Sequence, residues 1–167
     1  MGVSTYRRLP MDQFVSKLKK DYPDIKFRAA KQFSWSPVTQ EVLYATGNNK
    51  TGRWSVLHEL SHALLGHNSY MYDYELIQLE MEAWEKAQKI AANYQQVIGE
   101  EHIQNCLDTY KDWLFRRCRC PVCETQGIQD KPTLYRCFNC HATWHVTASR
   151  FCRPYRQLDK HKKTAYY

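Results

Sequence analysis

The sequence predicts an α+β protein in which a small domain of helices and a short sheet precedes a compact module rich in cysteine. Apolar residues recur at helical spacing through most of the first 115 residues, and two alternating segments typical of strands interrupt this pattern. Beyond that point the composition changes abruptly, and five of the seven cysteines lie between positions 118 and 140. The sequence therefore divides into a first domain over residues 1–115, a cysteine module over 116–148 and a basic tail over 149–167.

The first domain is predicted to begin with an amphipathic helix, because Phe14, Val15 and Leu18 share one face of the segment that follows Pro10. Apolar spacing and breaks at proline, glycine and asparagine predict the other elements. These are strands over 26–35 and 41–46, a loop over 47–52, and helices over 53–65, 73–98 and 100–115. In the cysteine module, strands are predicted over 133–137 and 142–147, with a turn before them at Gly127, Asp130 and Pro132. The tail is predicted to be loosely ordered.

Two histidines and a glutamate stand out in the helix predicted over 53–65. His58 and His62 are one turn apart, so both imidazoles can bind a single metal ion. Glu59 lies on the adjacent side, where its carboxylate can act as general base in metal-assisted hydrolysis. The rest of the helix is largely apolar, and a metal gives its polar groups the partner that burial requires. The pattern is typical of zinc hydrolases.

A catalytic zinc site needs a third protein ligand, and the chain offers His67, Glu80 and Glu82. His67 follows His62 by five residues and the metzincin pattern requires six, so we interpret His67 as a residue that suits the helix dipole. Glu80 falls on the apolar stripe of the next helix, together with Ala83, Trp84, Ala87, Ala91 and Tyr94. Glu82 falls on the charged face with Lys86 and Lys89. We predict that Glu80 is the third ligand and hold Glu82 in reserve.

These residues carry a family resemblance over about residues 10–98. The run from His58 to His67 (HELSHALLGH), followed by Glu80-Met-Glu-Ala83, resembles the ImmA/IrrE group of gluzincin-type metallopeptidases. The resemblance implies a zincin-like domain that is a zinc-dependent endopeptidase, with His58, His62 and Glu80 as zinc ligands and Glu59 as catalytic base. It also implies a protein substrate, with a DNA-binding transcriptional regulator such as a repressor as the expected target. The chain departs from the family at Trp84, where Asn or Asp is frequent.

Two further expectations concern catalysis and substrate binding. Peptide hydrolysis requires a donor to the developing oxyanion, and Tyr70, Tyr72 and Tyr74 are candidates because they follow the histidine helix closely. The strand predicted over 41–46 is a candidate edge along which a substrate segment could add as a further strand.

The cysteines predict a second metal site. Cys120-Pro-Val-Cys123 and Cys137-Phe-Asn-Cys140 are two C-x-x-C knuckles separated by thirteen residues, which is typical of a zinc ribbon with four cysteine ligands. We therefore expect one catalytic and one structural Zn²⁺, and much of the module's folding free energy should come from its metal. The other cysteines have no partner at a recognisable spacing; Cys106 is read as a core residue, Cys118 as a spare thiol and Cys152 as a free thiol.

Composition limits the partners and the location. The formal net charge is +7 with pI about 9.0, and many basic residues surround the cysteine module. The ribbon and tail are therefore either a protein-contact module or a nucleic-acid-binding surface, with Trp144, Phe151 and Tyr155 available to stack on bases. No apolar run is long enough to cross a membrane. Clustered cysteines without a secretory signal predict a reducing, cytoplasmic setting.

Two other functions remain open. A protease of the SprT/Spartan type, which acts on DNA-bound proteins, also joins this helix motif to a zinc ribbon, but its third ligand is a downstream histidine. The next histidine after His67 is His102, beyond the long helix, which weakens that alternative. A catalytically inert zinc-containing adaptor for nucleic acid or protein is the other alternative, and the presence of Glu59 argues against it.

Overall fold

The computed structural model describes residues 10–47, 50–148 and 155–159. These residues form four helices and two small sheets, so the predicted α+β class is confirmed. The helices are α1 (Met11–Asp21), α2 (Lys50–Leu65), α3 (Asp73–Asn93) and α4 (Glu100–Cys118). The strands are β1 (Lys26–Ala30), β2 (Ser34–Ser36), β3 (Glu41–Ala45), β4 (Ile128–Lys131), β5 (Leu134–Arg136), β6 (Thr143–Val146) and β7 (Arg156–Leu158).

The chain divides into two compact units. The first comprises residues 1–68 and 79–100, and the second comprises 69–78 and 101–167. The helix α3 contributes residues to both units, and α4 belongs with the cysteine-rich segment. Within the part of the chain that the structure describes, no helix combines the length and apolar character needed to cross a membrane.

The first unit contains a three-stranded sheet in the order β1-β3-β2. β1 pairs with β3 in parallel and β2 pairs with β3 antiparallel. Because β3 lies in the centre, the prediction that the strand over 41–46 offers an edge to a substrate is wrong; the edge strands are β1 and β2. The apolar face predicted for α1 is confirmed, since Phe14, Val15 and Leu18 are all buried. α2 buries Trp54, Val56, Leu57 and Leu60 in the same unit.

Element boundaries differ from the predictions at three places in this unit. The strand predicted over 26–35 is two strands, β1 and β2, that flank β3. α2 begins at Lys50, inside the predicted loop, because residues of loop-like composition are tolerated in a first helical turn, where the N–H groups have no helical partner. α3 ends at Asn93 and not near Ile98. Gln95 has a φ of 55°, and Gln96 N–H donates to Ala91 O at 3.0 Å, so a left-handed residue other than glycine ends this helix.

The second unit contains an antiparallel sheet in the order β4-β5-β6-β7 around a small core of Cys120, Tyr135, Cys137, Trp144 and Val146. A side chain at Gly127 would place its Cβ 2.3 Å from Trp144 Cη2, so this close approach requires glycine. β4 occupies the segment predicted as a turn. β7 pairs with β6 within the tail, so the expectation of loose order is wrong for residues 156–158. Residues 149–154 and 160–167 of the tail lie outside the described residues.

A buried charged pair links α4 to the ribbon strands within this unit. The Arg117 side chain is 2% exposed, its Nε lies 3.4 Å from Asp73 Oδ2, and its Nη1 donates to Thr147 O at 3.0 Å. Trp144 Nε1 donates to Arg117 O at 2.9 Å, and Tyr135 Oη donates to Asp73. Buried charges need such partners, so the end of α4 is an integral part of the ribbon core.

Candidate metal centres

Three buried side chains of the first unit converge on a point between α2 and α3. His58 Nε2 lies 3.1 Å from both His62 Nε2 and Glu80 Oε2, and the His62 Nε2–Glu80 Oε2 distance is 3.7 Å. Ligand atoms of a tetrahedral zinc site with bonds of about 2.0–2.1 Å lie about 3.3 Å apart, so this triangle has the dimensions of three zinc ligands. The three residues form a group that could hold a metal ion.

The charge of Glu80 is stabilised inside this group. Burial alone would raise the pKa of its carboxyl, but the hydrogen bond with His58 and the nearby His62 outweigh burial and hold that pKa well below its usual range. Glu80 is 6% exposed and shares its buried stripe with Ala83, Trp84, Ala87 and Ala91, as the helical spacing predicted. An ionised carboxylate in such surroundings is a strong ligand for a cation.

The chain reverses after α2 in a way that returns His67 to His62. Gly66 has a φ of 69°, its N–H donates to Ala63 O, and His67 N–H donates to His62 O at 3.0 Å. These two bonds form a Schellman motif, which brings the second residue after the helix against its last turn. His67 is therefore buried, at 9% exposure, and the interpretation of His67 as a residue serving only the helix dipole is wrong.

His67 contacts a metal-ligand candidate on one side and a carboxylate on the other. Its Nδ1 lies 2.9 Å from His62 Nδ1, and its Nε2 lies 3.4 Å from Glu82 Oε2. Burial lowers the pKa of His67, as does the neighbouring His62, although Glu82 opposes this. Glu82, the reserve ligand, thus contacts His67. Among the described residues, the group that could hold a metal ion contains Glu80 and not Glu82.

Glu59 follows His58 in α2 and is half-buried, and the edge strand β2 orients its carboxylate. Its Oε2 accepts a hydrogen bond from the Trp35 backbone N–H at 2.7 Å. The indole Nε1 of Trp35 donates to His67 O, also at 2.7 Å. One residue of β2 therefore fixes both the carboxylate of Glu59 and the turn that carries His67.

The two histidines of the triangle are supported by different contacts. His58 stacks on Trp84, with ring centroids 4.1 Å apart and an interplanar angle of 24°. The buried Nδ1 of His58 has no hydrogen-bond partner among the described residues. His62 instead has the hydrogen bond to His67. Trp84, at which the chain departs from the ImmA/IrrE pattern, therefore packs against a metal-ligand candidate.

The second unit contains the other candidate centre. Cys120, Cys123, Cys137 and Cys140 place their sulfur atoms within 4.8 Å of one another. The Cys120–Cys140 and Cys123–Cys137 sulfur distances are 3.6 and 3.5 Å, close to the separation of about 3.8 Å for thiolates around a tetrahedral zinc. Val122 N–H points to Cys120 Sγ at 3.4 Å, as in a tight knuckle. The four sulfur atoms are thus arranged to surround a cation.

Replacing Cys120 by serine tests this centre. We expect the variant to lose one zinc ion per chain and to unfold around Trp144, because the ribbon core is small and a bound metal would supply much of its folding free energy. Zinc stoichiometry and tryptophan fluorescence during thermal unfolding measure the two effects. Cys106→Ser is the matched control, since Cys106 lies in α4 outside the cysteine cluster. Unchanged zinc content in Cys120→Ser would show that the cysteines hold no metal.

Several aromatic and basic residues of the ribbon have structural partners. Trp144 is fully buried, so the prediction that it is available to stack on bases is wrong. Arg119 and Arg136 pair with Glu124 and Asp130 at 2.6 and 2.9 Å. Tyr155 is exposed, and Phe151 lies outside the described residues. The described ribbon surface is therefore less basic than the sequence alone indicates.

The oxyanion candidates Tyr70, Tyr72 and Tyr74 belong to the second unit. Tyr72 and Tyr74 stack with ring centroids 6.0 Å apart and line a cavity of about 520 Å³ with Leu114 and Ile128. Their role in catalysis stays a prediction.

No family model matches the chain, and no curated protein or solved structure matches it. Sequence reasoning missed Trp35 and the contact of His67 with His62. The sequence does carry a signal for His67, since a glycine directly after a helix predicts a Schellman reversal. No sequence signal identifies Trp35, because both of its contacts depend on the position that the pairing of β2 with β3 gives this residue.

Proposed function

We propose that the chain is a zinc-dependent endopeptidase whose first unit is a zincin-like domain. The observation that carries the proposal is the buried triangle of His58, His62 and Glu80, together with Glu59, which follows His58 in α2 and accepts a hydrogen bond from Trp35 N–H. A structural metal site needs no further carboxylate, whereas hydrolysis needs a general base next to the metal.

Each residue has a distinct role in this mechanism. The two imidazoles and the Glu80 carboxylate would hold the zinc, which when bound lowers the pKa of water toward about 7 and polarises the scissile carbonyl. Glu59 accepts the proton of the attacking water and delivers it to the leaving amine. Trp35 N–H holds one oxygen of that carboxylate, which leaves the second oxygen to carry the proton.

The expected substrate is a regulatory DNA-binding protein such as a repressor, which rests on the resemblance to ImmA/IrrE peptidases. The ribbon is proposed to be a structural zinc module that contacts a partner. A protein partner is favoured over nucleic acid, because Arg119 and Arg136 are already paired with acidic residues and Trp144 is buried.

The SprT/Spartan alternative receives less support. That type of site takes a downstream histidine as third ligand, and His102 lies in α4, where its Nε2 is 3.7 Å from Cys106 Sγ. Glu80 already supplies the third ligand atom of the triangle. A catalytically inert adaptor would have the same two metal centres, so a measurement of peptide cleavage distinguishes it from the peptidase.

Removal and return of the metal test the proposal. We expect the full chain to cleave members of a peptide library made from a digested proteome, to lose this activity after treatment with a chelator, and to regain it with added zinc. Cleavage products are identified by mass spectrometry. Two results would contradict a zinc endopeptidase. One is cleavage that continues after all zinc has been removed. The other is that the zinc-loaded protein cleaves neither peptides nor intact DNA-binding proteins.

A further inference from the structure

A continuous chain of polar contacts extends from the metal-ligand triangle to the surface of α3. It consists of His62, His67 and Glu82. The two ring nitrogens that meet in its first contact are Nδ1 atoms, 2.9 Å apart, and the second contact joins His67 Nε2 to Glu82 Oε2 at 3.4 Å. The exposed fractions of the side chains are 11%, 8% and 59%, so the chain begins buried and ends at solvent.

The positions of the protons along this chain follow from the role of His62. Its Nε2 faces His58 and Glu80, so a metal held there uses the lone pair of that nitrogen. The proton of the neutral ring is then on Nδ1, which donates to His67 Nδ1. His67 in turn carries its proton on Nε2, which faces the Glu82 carboxylate at 3.4 Å. One arrangement of protons satisfies every contact.

We infer that His67 and Glu82 are positioning residues that fix the orientation and tautomer of His62 for metal binding. When a histidine binds a metal through one ring nitrogen, a hydrogen bond from the other ring nitrogen to a carboxylate makes the ring a better ligand. In this protein the His67 ring lies between the ligand His62 and the carboxylate of Glu82. The inference depends on the metal site of the proposed function and does not depend on peptidase activity.

Geometry separates this role from that of an additional ligand. His62 contacts His67 through its Nδ1, whereas it contributes its Nε2 to the triangle. The two nitrogens lie on opposite sides of the imidazole ring, so the His62 ring separates His67 from the metal position. The Schellman motif at Gly66 fixes His67 in this place through the backbone. The His58 Nδ1 has no corresponding hydrogen bond among the described residues, so His62 is the ligand whose orientation depends on a polar partner.

The test is the zinc affinity of the histidine centre in the full chain, measured by competition with a chelator while the ribbon cysteines remain loaded. We expect His67→Leu to weaken affinity about 10- to 100-fold, as is typical when a hydrogen-bond partner of a ligand is removed. His67→Gln should restore part of the loss, because its amide oxygen can accept from His62 Nδ1–H. Glu82→Gln should have a smaller effect, about 2- to 10-fold, because that side chain is exposed and still offers an oxygen.

Glu85→Gln is the matched control, since Glu85 is exposed on α3 and pairs with Lys89. A second readout is ¹⁵N NMR of the zinc-loaded protein, which should show the His62 proton on Nδ1 and the His67 proton on Nε2. Equal zinc affinity in wild type, His67→Leu and Glu82→Gln would overturn the inference. Absence of zinc from the histidine centre of the wild type would instead overturn the proposed function. Glu82→Gln changes only a surface group, so it remains informative if His67→Leu does not fold.

Discussion

Replacing Glu59 by glutamine is expected to leave both zinc ions bound and to lower peptide cleavage about 100- to 10,000-fold. The glutamine amide keeps an oxygen that can accept the Trp35 N–H, so the contact that orients position 59 is preserved. What the substitution removes is the ability to take a proton from water at neutral pH. The measurement is the initial rate of cleavage of the library peptide that the wild type hydrolyses fastest, together with zinc content.

Glu85→Gln serves again as the control, because it makes the same chemical change at an exposed site on α3. Its rate and zinc content should equal those of the wild type. A Glu59→Gln rate within a factor of about three of the wild type would exclude Glu59 as the general base, since general bases contribute far more than that. Loss of zinc in Glu59→Gln would show that the carboxylate supports the metal site directly.

The local part of the first centre could be predicted from the sequence because it depends on helical geometry. The spacing of His58 and His62 places them on one face of a helix. The stripe that contains Glu80 is likewise a property of helical periodicity, and it is buried as expected. The convergence of α2 and α3 on one point follows from this burial, since both apolar faces must pack.

The rest depended on tertiary structure. Asp73 and Arg117 look like surface charges in the sequence, yet they are buried partners in the second unit, and this is why α4 belongs with the ribbon. β7 exists because β6 offers it a pairing edge, which the polar composition of the tail does not reveal. The end of α3 at Asn93 could not be predicted because the left-handed residue that follows it is Gln95, whereas glycine normally occupies that conformation.

Replacing Glu80 by alanine is expected to remove zinc from the histidine centre and to leave the ribbon zinc in place. Two imidazoles alone leave the ion without its anionic ligand, so affinity should fall by more than the ~100-fold typical of losing a ligand's hydrogen-bond partner. Zinc content should therefore fall from two ions per chain to one. The matched variant is Glu82→Ala, two residues along the same helix, whose carboxylate contacts His67 and lies outside the ligand group. It should retain two zinc ions at saturating metal and bind one of them more weakly.

The pair of variants also decides between the two glutamates as ligands. Retention of two zinc ions by Glu80→Ala and loss of one by Glu82→Ala would transfer the ligand role to Glu82. Retention of both zinc ions by both variants would show that neither glutamate is a zinc ligand, and it would contradict the peptidase proposal. In the expected outcome, Glu80→Ala removes both cleavage and the zinc of the histidine centre, whereas Glu59→Gln lowers cleavage and keeps that zinc. That contrast would separate the proposed ligand from the proposed general base, because Glu80 would hold the cation whereas Glu59 would move a proton.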